Sequence, residues 1–236
     1  MTHARLNGIE IEYDVTGTGP AMLLSHGYGE THLMWRGQHA ALGARYRLIA
    51  WDMRGHGGTD AGSEPAQYSL EATVADMRAL LGHVGEERAV IGGLSLGGYM
   101  SLAFYGAHPQ MVRALVICDS GPGYRSAAAR AGWNQRAVER AVALEQRGQL
   151  GLAHAARGML AQTDARVIDL LPSIRVPTLI VLGDKDEPFI APCEYMAKKI
   201  PGARLEVIRG AGHMSNVDQP EAFNRVVLDF LDSLPR

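Results

Sequence analysis

The sequence contains few cysteines and no excess of charge of either sign. Only Cys118 and Cys193 are present among 236 residues, which is too few for a disulfide framework. A chain of this length buries roughly 70% of its unfolded surface without disulfide bonds, so we expect both thiols to be unpaired and the protein to work in the cytoplasm. Lysine and arginine number 23 against 25 acidic residues, a net charge of −2. This balance argues against a nucleic-acid partner.

Signals for membrane targeting, metal binding and nucleotide binding are also missing. Residues 1–20 carry four charged side chains and no apolar segment of the kind found in signal peptides. No group of histidines, cysteines and carboxylates has metal-ligand spacing, and no phosphate-binding glycine motif occurs. We therefore expect no cofactor, no bound metal and no membrane partner.

Strand and helix patterns alternate along most of the chain. Apolar and acidic residues alternate over 9–14, which predicts a half-buried strand in a hairpin with residues 4–7. The later strand-like runs are short, β-branched and mostly apolar, which is typical of strands buried on both faces of a parallel sheet. The alternation predicts one α/β domain over 1–236, with a mostly parallel sheet of about eight strands flanked by helices. The later strand patterns lie at 21–25, 46–51, 88–93, 114–118, 178–182 and 204–208, and the helical patterns at 33–44, 69–84, 96–108, 190–200 and 220–233.

A segment without strand signals interrupts this alternation at residues 122–172. It contains seven arginines and four acidic residues, a net charge of +3, and its apolar residues repeat with helical spacing. The pattern predicts a helical insertion over one end of the sheet, with a core formed by 1–121 and 173–236. Its basic residues have two interpretations. They form a solvated helix face, or they create a positive potential at a cleft that favours substrates with a distal negative charge, from Arg125, Arg130 and Arg136.

The strongest chemical signal is a serine between glycines at residues 93–97, Gly-Leu-Ser-Leu-Gly. It follows a predicted strand and precedes a predicted apolar helix, which is the context in which a Gly-x-Ser-x-Gly motif forms a nucleophile elbow. Such a turn is so tight that the positions two before and two after Ser95 must be small. The motif predicts that Ser95 projects its hydroxyl above the sheet, beside the free N–H groups of the following helix.

We expect the base and the acid that such a serine needs to lie, like Ser95, at the carboxyl edge of the predicted sheet. A serine hydroxyl needs a base within hydrogen-bond reach, and that base needs an orienting carboxylate. Among nine histidines, His213 is the candidate base because it lies in a glycine-rich loop after the last predicted strand, where open α/β sheets bind ligands. Three aspartates follow strand ends and compete for the role of the acid: Asp119, Asp184 and Asp186.

Four further motifs accompany the serine motif. Residues 25–29 read Ser-His-Gly-Tyr-Gly, 51–57 read Trp-Asp-Met-Arg-Gly-His-Gly, 183–188 read Gly-Asp-Lys-Asp-Glu-Pro and 210–213 read Gly-Ala-Gly-His. With these five motifs in this order, the chain resembles an α/β-hydrolase over essentially its whole length. The resemblance implies that the insertion at 122–172 is the cap of that family.

The resemblance also implies a role for each motif. In the family order of nucleophile, acid and base, Ser95 is followed by Asp186 and His213, and the two other aspartates stay as alternatives for the acid. The oxyanion hole would consist of the backbone N–H groups of Leu96 and Tyr28. Supporting hydrogen bonds within these loops are expected from His26, Asp52 and His56.

The identity of the nucleophile and the sequences of three short segments restrict the class of reaction that the resemblance implies. Members of the fold that cleave haloalkanes or epoxides use an aspartate where this chain has Ser95. Residues 151–160, 195–196 and 216–220 resemble bacterial carboxylesterases and enol-lactonase-like hydrolases, although the cap here is shorter. The resemblance implies a cofactor-free serine hydrolase, a monomer or homodimer, that cleaves small to medium carboxylic esters through an acyl-serine. The alternatives are a lactonase, a C–C bond hydrolase, a perhydrolase and a ligand-binding signalling receptor.

Overall fold

Eight strands form one sheet in the computed structural model, which describes residues 2–59, 62 and 64–234. Their order across the sheet is β1-β2-β4-β3-β5-β6-β7-β8. The first two strands form the predicted hairpin, and β2 pairs antiparallel with β4. Every later pair is parallel, so the mostly parallel sheet is confirmed. The strands are β1 (Thr2–Leu6), β2 (Ile9–Thr16), β3 (Ala21–Ser25), β4 (Arg47–Trp51), β5 (Ala89–Leu94), β6 (Val112–Cys118), β7 (Thr178–Gly183) and β8 (Arg204–Ile208).

Helices cover both faces of this sheet. Met77 of α2, Phe104 of α3 and Met196 of α7 are buried in the core on one face, while Leu42 of α1 and Phe223 of α9 are buried in the core on the other. This is the arrangement that the alternation of strands and helices predicts. The helices are α1 (Arg36–Gly43), α2 (Leu70–His83), α3 (Leu96–Ala107), α4 (Ala127–Glu145), α5 (Leu150–Gly158), α6 (Arg166–Leu170), α7 (Glu187–Lys199), α8 (Ser215–Asp218) and α9 (Pro220–Asp232).

Helix α7 begins three residues before the helical pattern at 190–200. Pro188 lies in its first turn, where a missing N–H leaves no helical hydrogen bond unmade. Pro192 lies inside the helix, and two prolines so close together conceal the helical signal in the sequence. The early start matters for function because it places Asp186 directly before the first turn of α7.

The segment between β6 and β7 forms helices α4, α5 and α6. The first two pack against each other through the small buried side chains of Ala141, Ala153 and Ala156. Helix α5 also rests on the loop after β4, because a Cβ atom on Gly55 would lie 2.5 Å from the carbonyl oxygen of Gly151. The helical character of the segment matches the expectation, and its treatment as a cap over 122–172 stays a prediction.

Two further expectations concern the cysteines and the bilayer. Cys118 ends β6 and Cys193 lies in α7, and both thiols are buried and free, as expected. Burial raises the pKa of the Cys193 thiol to about 12, so this sulfur stays protonated at neutral pH. Within the described part of the chain, no helix combines the length and the apolar character that crossing a bilayer requires.

Candidate active site

Ser95 occupies a sharp turn between β5 and α3. Its backbone has φ 54° and ψ −114°, a conformation that non-glycine residues rarely adopt. A Cβ atom on Gly93 would lie 2.4 Å from the carbonyl carbon of Gly97, and one on Gly97 would lie 2.2 Å from the carbonyl oxygen of Ser25. Both glycines are therefore required by close backbone contacts. The strained turn presents the Ser95 side chain at the carboxyl edge of the sheet.

His213 and Asp186 are joined by a hydrogen bond. The distance from Nδ1 of the imidazole to Oδ2 of the carboxylate is 2.8 Å. The Asp186 side chain is 4% exposed and that of His213 is 40% exposed, so a buried carboxylate holds an imidazole that solvent can reach. The Phe189 ring stacks on the imidazole with centroids 4.7 Å apart. These contacts set the orientation of the ring and assign the proton to Nδ1, which leaves Nε2 as the acceptor.

The loops that carry Asp186 and His213 contact each other through their backbones. Lys185 N donates to Ala211 O over 2.9 Å, and a Cβ atom on Gly183 would lie 2.2 Å from the Gly212 carbonyl oxygen. The Ser95 hydroxyl makes no hydrogen bond with any residue that the structure describes. The structure thus brings Asp186 and His213, the candidate acid and base, into contact but does not join Ser95 to His213. In many enzymes that bond tightens only when substrate binds.

The two other aspartates hold backbone segments and make no hydrogen bond to His213 among the described residues. Asp184 accepts a hydrogen bond of 2.7 Å from Gly210 N. Asp119 is fully buried and accepts from Gly183 N over 2.7 Å and from Ser215 Oγ over 2.5 Å. Burial raises the pKa of Asp119 to about 6. Asp119 therefore connects the end of β7 with the start of α8, a linking role that its position at a strand end does not reveal.

The loop after β3 lies against the serine turn. A Cβ atom on Gly27 would lie 3.7 Å from Ser95 Cβ. The backbone N–H groups of Tyr28 and Leu96 make no hydrogen bond with any other described residue, so both can donate to a ligand. His26 supports this loop as expected: Nδ1 lies 2.7 Å from Gly27 O, and Nε2 accepts from Met53 N over 2.9 Å. Burial lowers the pKa of His26 to about 3, so the ring is neutral.

Asp52 braces the loop after β4. Its carboxylate accepts from His32 N over 2.6 Å, lies 2.9 Å from His32 Nδ1 and accepts from Gly58 N over 3.0 Å. His56 Nδ1 lies 3.0 Å from Arg54 O, which holds the same loop.

Glu12 approaches the His32–Asp52 pair, and the three possible metal-ligand atoms lie within 4.8 Å of one another. The positions of Glu12, His32 and Asp52 in the sequence do not predict this group. Within it, His32 and Asp52 are already hydrogen-bonded to each other.

A cavity of about 220 Å³ opens beside Ser95. No acidic or basic side chain of the described residues lines it. Trp133 of α4 forms part of its wall and donates a hydrogen bond of 2.6 Å from Nε1 to Leu160 O. Arg125, Arg130 and Arg136, which the sequence places near a cleft, are not among the lining residues. The lining consists of Ser95, Leu96, Tyr99, Ser120, Gly121, Pro122, Gly123, Tyr124, Trp133, Met159, Leu160, Gln162, Pro188, Phe189 and Pro192.

The chain is similar to several hydrolases over nearly its whole length. It is 28% identical to 3-oxoadipate enol-lactonase 1 of Acinetobacter baylyi, over 99% of this chain and 97% of that protein. The crystal structure of the enol-lactonase from Burkholderia xenovorans LB400 superposes with a TM-score of 0.83 at 27% identity, covering 98% of this chain and all of the other. A thermophilic esterase from Thermogutta terrifontis superposes with a TM-score of 0.80 at 30% identity, covering 95% and 93% of the two chains. A model of the alpha/beta hydrolase family matches residues 22–226, and the chain therefore belongs to that family.

Proposed function

We propose that this protein is a serine hydrolase that cleaves carboxylic esters of small to medium size without a cofactor. The observation that carries the proposal is the 2.8 Å contact between His213 and Asp186 beside the cavity that Ser95 borders. An imidazole oriented by a buried carboxylate, next to a serine on a strained turn, is the arrangement that activates a hydroxyl for attack on an acyl group.

The proposed reaction has two halves that use the same groups. Ser95 Oγ attacks the carbonyl carbon of the ester while His213 Nε2 takes the hydroxyl proton. The imidazolium, stabilised by Asp186, gives that proton to the leaving alkoxide as the C–O bond breaks, and an acyl-serine remains. Water then attacks the acyl carbon, its proton passes to His213, and Ser95 Oγ leaves and regains a proton. The products are a carboxylic acid and an alcohol.

The backbone N–H groups of Tyr28 and Leu96 are proposed to stabilise the negative oxygen of each tetrahedral intermediate. Neither group has a partner within the described chain, and Leu96 N lies at the N-terminus of α3, where the helix dipole also favours a negative charge. Loss of one such donor raises the barrier by roughly 3–4 kcal/mol in a well-studied hydrolase. Since both donors belong to the backbone, side-chain substitution does not remove them.

A lactonase is the second candidate, because two of the similar proteins are named as enol-lactonases. The same attack by Ser95 would open a lactone, with the leaving alkoxide still attached to the acyl group. The proposal extends to a cytoplasmic location, which the two free buried thiols support, and to a monomeric or homodimeric state.

A panel of p-nitrophenyl esters, simple lactones and aryl-ketone C–C substrates tests the proposal. We expect repeated turnover of the esters, preceded by a burst of about one p-nitrophenol per protein when hydrolysis of the acyl-serine is slow. Faster turnover of lactones would favour the second candidate. A single turnover per protein, or cleavage of the C–C substrates alone, would contradict both.

A further inference from the structure

We infer that the cavity beside Ser95 selects short, uncharged acyl groups and excludes acyl groups that carry a distal carboxylate. The inference rests on the proposed function and names its substrate class. The acyl group stays bonded to Ser95 after the alcohol has left, so it must occupy space that borders this residue. The cavity of about 220 Å³ that Ser95 lines provides that space.

The size of the cavity limits the length of the acyl group. Pockets that hold drug-sized ligands measure about 300–1,000 Å³, so the space here suits a smaller group. Trp133 closes one side, and its ring is fixed by the 2.6 Å hydrogen bond from Nε1 to Leu160 O and by the guanidinium of Arg136, 5.7 Å from the ring centre. Phe189, which stacks on His213, forms another wall.

The polar groups of the lining are neutral, and Gln162 and Ser120, like Trp133, already have partners. Gln162 Oε1 accepts from Tyr124 N over 2.9 Å, and Ser120 Oγ donates to Ser95 O over 2.7 Å. Burial raises the pKa of Tyr99 to about 12, so its phenol stays uncharged at neutral pH. A carboxylate in this space would lose its hydration without meeting a cationic side chain in the lining, which costs several kcal/mol per ion in proteins.

Three arginines of the 122–172 segment have partners, and none of the three lines the cavity. Arg125 pairs with Asp169 over 2.7 Å, and Arg157 pairs with Glu145 over 3.0 Å. Arg130 Nη1 donates to the backbone oxygens of Arg125 and Tyr124. Arg136 and Arg140 lie over the rings of Trp133 and Tyr28, and no arginine among the described residues lines the cavity. This arrangement favours the solvated helix face over a positive potential inside the acyl space.

A matched pair of substrates tests the charge selection. p-Nitrophenyl pentanoate and the p-nitrophenyl monoester of glutaric acid differ only in a terminal methyl group and a carboxylate. We expect kcat/KM for the pentanoate to exceed that for the monoglutarate by at least about 100-fold, the ratio that corresponds to a burial cost of several kcal/mol. Equal values, or faster cleavage of the monoglutarate, would overturn the inference while leaving the ester hydrolase intact. Absence of turnover with both esters would refute the proposed function, and the inference with it.

Esters of increasing acyl-chain length and two variants of Trp133 test the limit on the length of the acyl group. In the wild type, kcat/KM should fall at least about tenfold from p-nitrophenyl butanoate to the decanoate. Trp133→Ala should remove most of that fall, because it opens the wall, whereas Trp133→Phe should keep it because an aromatic ring still fills the space. A wild-type preference for the decanoate, or equal chain-length profiles for the Ala and Phe variants, would contradict the assignment of Trp133 as the limiting wall.

Discussion

The hydroxyl of Tyr28 donates a 2.7 Å hydrogen bond to the backbone oxygen of Leu152 in helix α5. Tyr28 belongs to the loop whose backbone N–H is proposed to bind the oxyanion, so this bond joins that loop to the helical segment between β6 and β7. The Tyr28 ring also meets the edge of His56 at 5.5 Å, and the guanidinium of Arg140 lies 5.3 Å from its centre. The position of one proposed oxyanion donor therefore depends on contacts with α4 and α5.

We predict that Tyr28→Phe lowers kcat by up to about tenfold and leaves KM within about twofold. The variant keeps the backbone N–H and the aromatic ring but loses the bond to Leu152 O, whose net contribution to stability is about 1 kcal/mol. The melting temperature should fall by about 2–4 °C in a chain of this size. Steady-state kinetics and thermal unfolding check both effects.

Tyr195→Phe is the matched control for this prediction, because Tyr195 lies on α7 and its ring contacts Lys199 rather than the oxyanion loop. Its kinetics should equal those of the wild type. A Tyr28→Phe enzyme with unchanged kcat would show that the donor is held by the loop alone, through His26 and Gly27.

We predict that Ser95→Ala abolishes ester turnover and preserves the fold. Removal of the nucleophile of a serine hydrolase typically lowers kcat about 10⁶-fold. Ser69→Ala serves as the control: Ser69 caps α2, far along the chain from the elbow, by accepting from Ala72 N over 3.0 Å. That control should keep its kcat and lose about 1 kcal/mol of stability. More than a tenth of wild-type kcat in pure Ser95→Ala would remove Ser95 from the mechanism.

The three candidate acids should respond differently to replacement by asparagine. Asp186→Asn should lower kcat by about 10⁴-fold, because an amide favours the imidazole tautomer with its proton on the wrong nitrogen. Asp184→Asn removes an acceptor for Gly210 N and should change kcat by less than about tenfold. Asp119→Asn should affect stability more than chemistry. A larger loss of kcat in Asp119→Asn than in Asp186→Asn would move the acid to the end of β6.

The sequence predicts the elements of this fold well because the strands carry a local signal. Runs such as 21–25 and 178–182 are apolar on both faces, and the corresponding β3 and β7 are completely buried. Which strands pair with each other is harder to predict from local sequence patterns. The antiparallel contact between β2 and β4 joins residues far apart in sequence, and no local pattern specifies it.

The site was predictable to the extent that its residues lie in motifs. The turn at Ser95 follows from two glycines, and the loop holding His213 follows from its position after the last strand. The motif order favours Asp186 as the acid but leaves Asp119 and Asp184 as alternatives, because the geometry that separates them depends on how two loops meet. Phe189 and Trp133 carry no motif at all, and only the folded chain places them beside the site.

Asp119 predicts a specific pH dependence of stability. Burial raises its pKa from the ordinary value of 3.8 to about 6, so the folded protein binds this proton more tightly than the unfolded chain does. The stabilisation from the protonated form is fully present below about pH 4 and is lost as the pH rises toward 6. Relative to Asp119→Asn, which cannot ionise, the unfolding free energy of the wild type should fall by at most about 1.4 kcal/mol per pH unit across this window.

Urea unfolding of the two proteins at several pH values measures this difference directly. Taking the difference cancels the contributions of carboxylates whose pKa is lowered by ion pairing, such as Asp164 beside Arg166 and Asp232 beside Arg45. A difference that stays constant between pH 4 and pH 6, or that rises, would mean that the hydrogen bonds from Gly183 N, Ser215 N and Ser215 Oγ compensate for the burial of Asp119.

The glycines of the chain provide the final prediction, since two of them differ sharply in what surrounds them. A Cβ atom on Gly97 would lie 2.2 Å from Ser25 O and 2.7 Å from His26 O, both rigid backbone atoms, whereas one on Gly82, in the last turn of α2, would meet nothing within 4 Å. Gly97→Ala should therefore destabilise the protein by about 3 kcal/mol or more, because the elbow must move away from the oxyanion loop. Gly82→Ala should stabilise it by about 0.5–1 kcal/mol, because alanine reduces the entropy of the unfolded chain.

Chemical denaturation measures both changes, and kcat of any folded Gly97→Ala protein reports the position of Ser95. A Gly97→Ala variant with wild-type stability and activity would mean that the turn at Ser95 can widen freely, and that the close backbone contacts around it are not what holds the nucleophile in place.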